Sequence, residues 1–230
     1  MILAIDTATT WTGLALHDGR GIVAENGWRS INTQTVDLAP AVSDMMLKAG
    51  MASSDLSAVA VAIGPGSYTG LRIGLGFAKG LVLANRAKLI GISTLDIVAA
   101  SAGISEGNLI AVVEAGRSRI CAGQYRWRGT KGWQSADDPD IYNWEDLLSV
   151  VDDQSIFAGE IAPSAAKLIR AAGKELKIVL AVKSVRRAGY LADLAWLKLR
   201  RGWTDDPNEL VPIYLRDPSG AIPDTDKVSA

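Results

Sequence analysis

The residues with the clearest chemical potential follow the first apolar segment of the chain. Asp6 closes the run over residues 2–6, and three of the next four residues are threonines. A carboxylate beside hydroxyls at a turn can hold a metal-bound phosphate, so Asp6 and Thr9 are the candidate nucleotide-site residues. The same residue types also suit an ordinary turn, where Asp and Thr bond to free backbone groups. Ala8 stands where a phosphate-cradling hairpin usually has glycine.

A second candidate is the glycine-rich segment that starts with Gly64-Pro-Gly-Ser-Tyr-Thr-Gly70. It runs into an apolar helix, and a helix N-terminus favours anions. The segment lacks the Gly-Lys-Ser/Thr ending of a P-loop, because Leu71 and Arg72 follow Gly70. A turn in which Ser67 or Thr69 caps the helix is the alternative use of these residues.

Composition argues against several catalytic classes. The chain has one histidine, His17, and one cysteine, Cys121, so metal centres and Ser/His/Asp catalysis are not expected, and neither is a cofactor. The net charge of −1 gives no overall attraction to nucleic acid or anionic membranes. With one cysteine, no recognisable signal peptide and no apolar run of about 20 residues, we expect a cytoplasmic protein.

Two charged segments remain as weaker candidates for function. Glu114-Ala-Gly-Arg-Ser-Arg119 follows an apolar strand and could line a cleft, although such a segment is more often a solvated hairpin. Basic residues concentrate towards the C-terminus, where they could contact RNA or simply cover exposed helix ends. These basic residues are Lys183, Arg186, Arg187, Lys198, Arg200 and Arg201.

The elements that must position these residues occur in the same order twice. Strand-like segments at 2–6, 12–17 and 21–25 precede a helix, a strand at 58–63 and the glycine-rich helix. A shorter series starts at residue 109 and includes strands at 120–125, 155–159 and 178–182. We therefore predict a duplicated α/β fold with mixed sheets flanked by helices. The predicted divisions are 1–105, 106–216, whose last helix is expected to pack back on the first, and a flexible tail at 217–230.

The motifs resemble those of the TsaB family, also called YeaZ, of the bacterial tRNA threonylcarbamoyladenosine pathway. Four segments carry the resemblance: Ala4-Ile-Asp-Thr-Ala8, Gly64-Pro-Gly-Ser-Tyr-Thr-Gly-Leu-Arg72, Gly91-Ile-Ser-Thr-Leu95 and Val211-Pro-Ile-Tyr-Leu-Arg216. The chain departs from the family at Glu114, where an aspartate is usual. It also has Asn32-Thr-Gln-Thr35 where many members carry a histidine before the first helix.

The resemblance implies an actin-like, sugar-kinase-like (ASKHA) fold and a non-catalytic role. In this family the chain pairs with TsaD, which transfers the threonylcarbamoyl group to N6 of adenosine 37 in tRNA, and the ATPase TsaE joins the assembly. We expect contact with tRNA only through that complex, and a homodimer when TsaD is absent. An ATP-dependent small-molecule kinase that uses Asp6 and Thr9 is the alternative, and a peptidase is a third, weaker one.

The predicted partner surface lies on the glycine-rich helix and on the helix before it. Small residues allow another backbone to approach closely, and methionines adapt to irregular surfaces. The predicted contact residues are Leu38, Val42, Met45, Met46, Gly70, Leu71, Gly74, Leu75, Phe77, Ala78 and Val82.

Overall fold

The computed structural model describes residues 1–30, 33–104, 107–116 and 119–215. Eleven strands and seven α-helices occur in these ranges. The strands are β1 Ile2–Asp6, β2 Trp11–His17, β3 Ile22–Arg29, β4 Ala58–Ala62, β5 Lys88–Ile92, β6 Asn108–Gly116, β7 Arg119–Trp127, β8 Trp133–Ser135, β9 Asp140–Tyr142, β10 Ile156–Gly159 and β11 Lys177–Ile178. The helices are α1 Gln34–Lys48, α2 Tyr68–Asn85, α3 Thr94–Ser101, α4 Trp144–Val150, α5 Pro163–Ala171, α6 Ala181–Ser184 and α7 Ala188–Arg200.

The first sheet has the strand order β3-β2-β1-β4-β5, with β1 antiparallel to β2 and parallel to β4. Its two faces differ in side-chain size because successive residues of a strand point to opposite faces. Leu3 and Ile5 of β1 face α1 and α2, whereas Ile2 and Ala4 lie on the face that α7 covers. Helices α1 and α2 therefore cover the face with large aliphatic side chains, and α7 covers the alanine-rich face.

The second sheet repeats this arrangement. Its order is β11-β10-β6-β7-β8, with β6 antiparallel to β7 and parallel to β10, and with β9 paired to β7. Helix α3 packs on one face, and α4 and α5 pack on the other. The predicted fold of two mixed sheets flanked by helices is confirmed.

The last helix returns to the first sheet. Ala188, Leu191, Ala192 and Ala195 of α7 are buried against β1, β2 and β5. After α7, the Asp205 carboxylate accepts a hydrogen bond from the N–H of Gly91 at 2.8 Å. Residues 188–205 thus complete the N-terminal half, even though they follow the second half in sequence.

One predicted strand is too long. The segment predicted as a strand over 178–182 pairs only at Lys177–Ile178, and α6 begins at Ala181. Val182 is 68% exposed, so its apolar character does not reflect burial in a sheet. The tail predicted at 217–230 lies outside the described residues, and so does Asn32, which stands near the site of the family's histidine. None of the helices in the described ranges combines the length and apolarity needed to cross a membrane.

Candidate functional site

Asp6 and Thr9 lie together at the turn between β1 and β2. The Asp6 side chain is fully buried, and its Oδ1 accepts a hydrogen bond from the N–H of Ala8 at 2.9 Å. Its Oδ2 accepts a second bond from Nε of Arg186 at 2.9 Å. The predicted proximity of the carboxylate and the hydroxyl is therefore present, but both groups face a cation that the chain itself supplies.

Arg186, between α6 and α7, is the centre of this buried polar cluster. Its side chain is 1% exposed, and each of its three guanidinium nitrogens has its own partner. Besides the bond from Nε to Asp6, Nη1 donates to Glu160 Oε1 at 2.6 Å and Nη2 donates to Thr9 Oγ1 at 2.7 Å. We call the set of Asp6, Thr9, Glu160 and Arg186 the guanidinium cluster.

Glu160 follows β10, the strand that pairs in parallel with β6. Its Oε1 accepts a hydrogen bond from Thr9 Oγ1 at 2.5 Å, and its Oε2 accepts one from the N–H of Glu114 at 2.9 Å. Burial by itself would raise the pKa of the Glu160 carboxyl, but the Arg186 charge and these hydrogen bonds outweigh it and lower the pKa. Burial acts to lower the pKa of Arg186, whereas Asp6 and Glu160 raise it by a larger amount. Glu160 and Arg186 are thus held in their charged forms.

Sequence reasoning found half of this cluster. Asp6 and Thr9 were singled out, whereas Arg186 was noted only among the basic residues and Glu160 was missed. One feature of the sequence could have identified Glu160. It is an acidic residue directly after β10, and β10 pairs in parallel with β6 as β4 pairs in parallel with β1. No local pattern marks Arg186, because its partners are 26 to 180 residues away.

The contacts of the sole histidine, His17, and of the sole cysteine, Cys121, indicate structural roles for both. Nδ1 of His17 accepts a hydrogen bond from the N–H of Gly19 at 2.8 Å, and Nε2 lies 3.2 Å from Asp193 Oδ1. Burial, with a smaller effect from Asp140, raises the pKa of the Cys121 thiol to about 12. The two side chains are not paired with each other as a nucleophile and its base. Within the described ranges, no group of three or more His, Cys, Asp or Glu side chains could hold a metal ion.

The predicted stripe on α2 faces inward, which corrects the predicted contact surface. Ten of the eleven predicted contact residues are buried in the N-terminal half, and the exception, Phe77, is partly buried. The ten are Leu38, Val42, Met45, Met46, Gly70, Leu71, Gly74, Leu75, Ala78 and Val82. Most of them pack in the core that covers the aliphatic face of the first sheet, so little of their surface is left for a partner.

Two of the four glycines in α2 are explained by the chain's own packing. A Cβ at Gly70 would lie 2.2 Å from the carbonyl oxygen of Thr7, and one at Gly74 would lie 2.2 Å from Thr7 Oγ1. Thr7 Oγ1 donates to the carbonyl of Gly70 at 2.7 Å. Thr7, in the turn after β1, therefore lies in a notch on α2 at Gly70 and Gly74, where any side chain with a Cβ would collide with it.

The other two glycines lie on the opposite side of the helix. A Cβ at Gly76 or Gly80 would have no atom within 4 Å, and Leu83 is 73% exposed. The exposed Arg72 and the partly buried Lys79 are the charged residues on this side. Its uncharged residues are partly or fully exposed, and we call these uncharged residues the outer face of α2. They are Ile73, Gly76, Phe77, Gly80, Leu83 and Ala84.

The N-terminus of α2 is tied to the last described segment. Ser67 Oγ caps the helix by accepting from the N–H of Gly70 at 3.2 Å, as predicted for Ser67. The Ile213 N–H donates to the carbonyl of Ile63 at 2.7 Å, and Arg72 lies 3.9 Å from the ring centre of Tyr68. Arg72 Nε also donates to Tyr214 at 3.0 Å. Two segments that carry the family resemblance are thus in direct contact.

The sequence is similar to a known protein family and to proteins of known name. The model of the family described as TsaD, tRNA N6-adenosine threonylcarbamoyltransferase, matches residues 29–155. The tRNA threonylcarbamoyladenosine biosynthesis protein TsaB of Bacillus subtilis is 30% identical over 218 residues, which span 94% of this chain and 93% of the relative.

Solved structures agree with the fold. YeaZ from Pseudomonas aeruginosa superposes with a TM-score of 0.77 and 25% identity, over 93% of this chain and 99% of that one. The ethanolamine utilization protein EutJ from Carboxydothermus hydrogenoformans superposes with a TM-score of 0.50 and 13% identity, over 82% of this chain and 88% of that one. The second likeness concerns the fold alone, and the predicted actin-like fold class is confirmed.

Proposed function

This chain belongs to the TsaB (YeaZ) family, within the wider group that the TsaD model describes, and from that premise we propose that it is a non-catalytic subunit of tRNA threonylcarbamoyladenosine biosynthesis. In this proposal the chain forms a heterodimer with TsaD and activates it. TsaE joins the same assembly, and tRNA is reached through the complex.

The observation that carries the proposal is the outer face of α2. Each glycine inside a helix costs about 1 kcal/mol relative to alanine, and at Gly76 and Gly80 no atom of the described chain lies within 4 Å of where a Cβ would be, so the chain's own packing does not require glycine there. The close approach of a second backbone would offset it. The outer face carries the exposed Leu83 and the partly exposed Phe77, and the charged Arg72 and Lys79 lie beside it. An apolar centre with charged neighbours suits a partner that buries apolar surface.

TsaD is the occupant that the family membership favours. The TsaD model matches more than half of this chain, so a TsaD protein is expected to share the fold and to offer comparable helices for pairing. A second copy of this chain is the expected occupant of the same face when TsaD is absent, because paralogous surfaces commonly support both kinds of pairing.

The kinase alternative is less well supported. It requires Asp6 and Thr9 to face a metal-bound phosphate, but both are bonded to Arg186. No observation on the described residues favours a peptidase, because His17 is already bonded and the Cys121 thiol is protonated at neutral pH.

The test is a binding measurement with two matched leucine variants. Leu83→Glu places a charge on the outer face of α2, and Leu168→Glu makes the same change at a 39% exposed leucine on α5. Both variants and the unaltered chain are mixed with TsaD from the same organism and followed by size-exclusion chromatography with light scattering.

We expect Leu83→Glu to weaken the heterodimer at least tenfold, which corresponds to about 1.4 kcal/mol, because burial of a carboxylate in the contact carries a desolvation cost. Leu168→Glu should bind as the unaltered chain does. Equal binding by both variants, with thermal unfolding showing both to be folded, would refute the assignment of the outer face.

A further inference from the structure

We propose that Arg186 is a built-in cationic latch that holds the two halves of the chain together. This inference goes beyond the proposed function, because it concerns how the halves are held and does not depend on TsaD. In this inference the guanidinium joins Asp6 and Thr9 on one side to Glu160 on the other.

The partners of Arg186 come from both halves. Asp6 ends β1 and Thr9 lies in the following turn, so these two belong to the first sheet. Glu160 follows β10 and is fixed by the N–H of Glu114 on β6, so it belongs to the second sheet. A single side chain therefore connects the ends of strands from two separate sheets.

The geometry leaves the guanidinium little freedom. Its three nitrogens donate to three different acceptors at 2.6 to 2.9 Å, and the side chain is 1% exposed. Thr9 Oγ1 also donates to Glu160 Oε1 at 2.5 Å, which adds a direct bond between the halves. Charge-assisted bonds of this kind, shielded from water, are stronger than surface pairs and depend on every member being present.

Removal of the guanidinium would leave an anionic space. Two carboxylates and one hydroxyl oxygen would then face each other with no cation between them, and like charges at this range repel. The halves should separate at this edge, while α3, which contributes Ile97 to the first core and Val98 to the second, still joins them at another place. Such a space should accept a free guanidinium ion, which matches the shape and the donors of the missing group.

The test compares two neighbouring arginines. Arg186→Ala removes the latch, and Arg187→Ala removes a side chain that is 57% exposed and bonded to Glu25. Backbone hydrogen exchange is followed in peptides covering residues 2–12 and 156–165, with and without low-millimolar guanidinium chloride. Sodium chloride at equal ionic strength and urea at equal concentration are the controls.

We expect Arg186→Ala to exchange at least tenfold faster in both peptides, and guanidinium alone to restore protection. Arg187→Ala should exchange like the unaltered chain and should gain nothing from guanidinium. If faster exchange is confined to one half, or if sodium chloride restores protection equally well, the latch is refuted and Arg186 has only local structural importance.

A milder variant keeps the test decisive if Arg186→Ala does not fold. Glu160→Gln preserves the shape of the side chain and removes one charge of the cluster from a group that is 21% exposed. It too should speed exchange in both peptides, whereas unchanged exchange would refute the latch. Binding of Mg·ATP to the unaltered chain with protection of residues 2–12, measured by the same method, would also overturn it, because the cleft would then be open.

Discussion

Replacement of Gly159 by alanine is expected to destabilise the chain by about 3 kcal/mol or more. Gly159 ends β10 with φ of +111°, a backbone conformation that side chains with a Cβ rarely adopt. A Cβ there would also lie 2.0 Å from the carbonyl oxygen of Val112 on the neighbouring strand β6. The strand pair would have to separate, and Glu160, the next residue, would move away from Arg186.

A second glycine variant measures the backbone cost of a positive φ without a steric contact. Gly173 has φ of +70°, but a Cβ there would meet no atom within 4 Å. Gly173→Ala should therefore show only the cost of the left-handed backbone, about 1 kcal/mol. Chemical denaturation of both variants measures the difference. Equal losses of free energy of unfolding would mean that the contact with Val112 relaxes without cost.

Gly74→Ala and Gly76→Ala are expected to change stability in opposite directions, although the residues lie two apart in the same helix. Both variants gain about 1 kcal/mol from the higher helix propensity of alanine. The Cβ at position 74 would lie 2.2 Å from Thr7 Oγ1 and would disturb its bond to the Gly70 carbonyl. We expect Gly74→Ala to lose about 1 to 3 kcal/mol overall, whereas Gly76→Ala becomes more stable.

The contact with Thr7 can be tested within the same experiment. Thr7→Ala removes the atom that Gly74→Ala would strike, so the double variant should lose less than the two single changes added together. All free energies of unfolding are measured at one protein concentration at which light scattering gives the same oligomeric state. Strict additivity would show that Thr7 is not the reason for the glycine at 74.

The repeated order of elements could be predicted because it rests on local signals. Alternating or continuous apolar runs identify β1, β4 and β6, and the capping serine marks the start of α2. The strand predicted over 178–182 was too long because Val179, Leu180 and Val182 are apolar without being in a sheet. A short apolar run alone does not distinguish an exposed segment that enters a helix, as Leu180 and Val182 do, from a short strand.

The candidate site was only half predictable, for a physical reason. Asp6 and Thr9 are close in sequence and share one turn, so their proximity follows from local structure. Arg186 reaches them only because α7 returns to the first sheet, and that return depends on long-range packing of its alanines on β1 and β2. Residues that meet through such a return leave no local spacing to detect.

The orientation of α2 was not predictable from its pattern. The helix is apolar on most of its circumference, so periodicity does not tell which side faces the chain's own sheet. The structure resolves this through Thr7, which occupies the notch at Gly70 and Gly74 and leaves Gly76 and Gly80 on the outside. The proposed partner surface is therefore the side of α2 that the chain does not use itself.

The most direct test of the proposed function is a tRNA modification assay. Purified TsaD and TsaE from the same organism, with the threonylcarbamoyl adenylate and substrate tRNA, are assayed without the chain, with the chain, and with Leu83→Glu or Leu168→Glu. We expect modification to depend on the chain, to fall at least tenfold with Leu83→Glu at limiting concentration, and to be unaffected by Leu168→Glu. Full modification in the absence of the chain, or equal activity with both variants, would contradict the account.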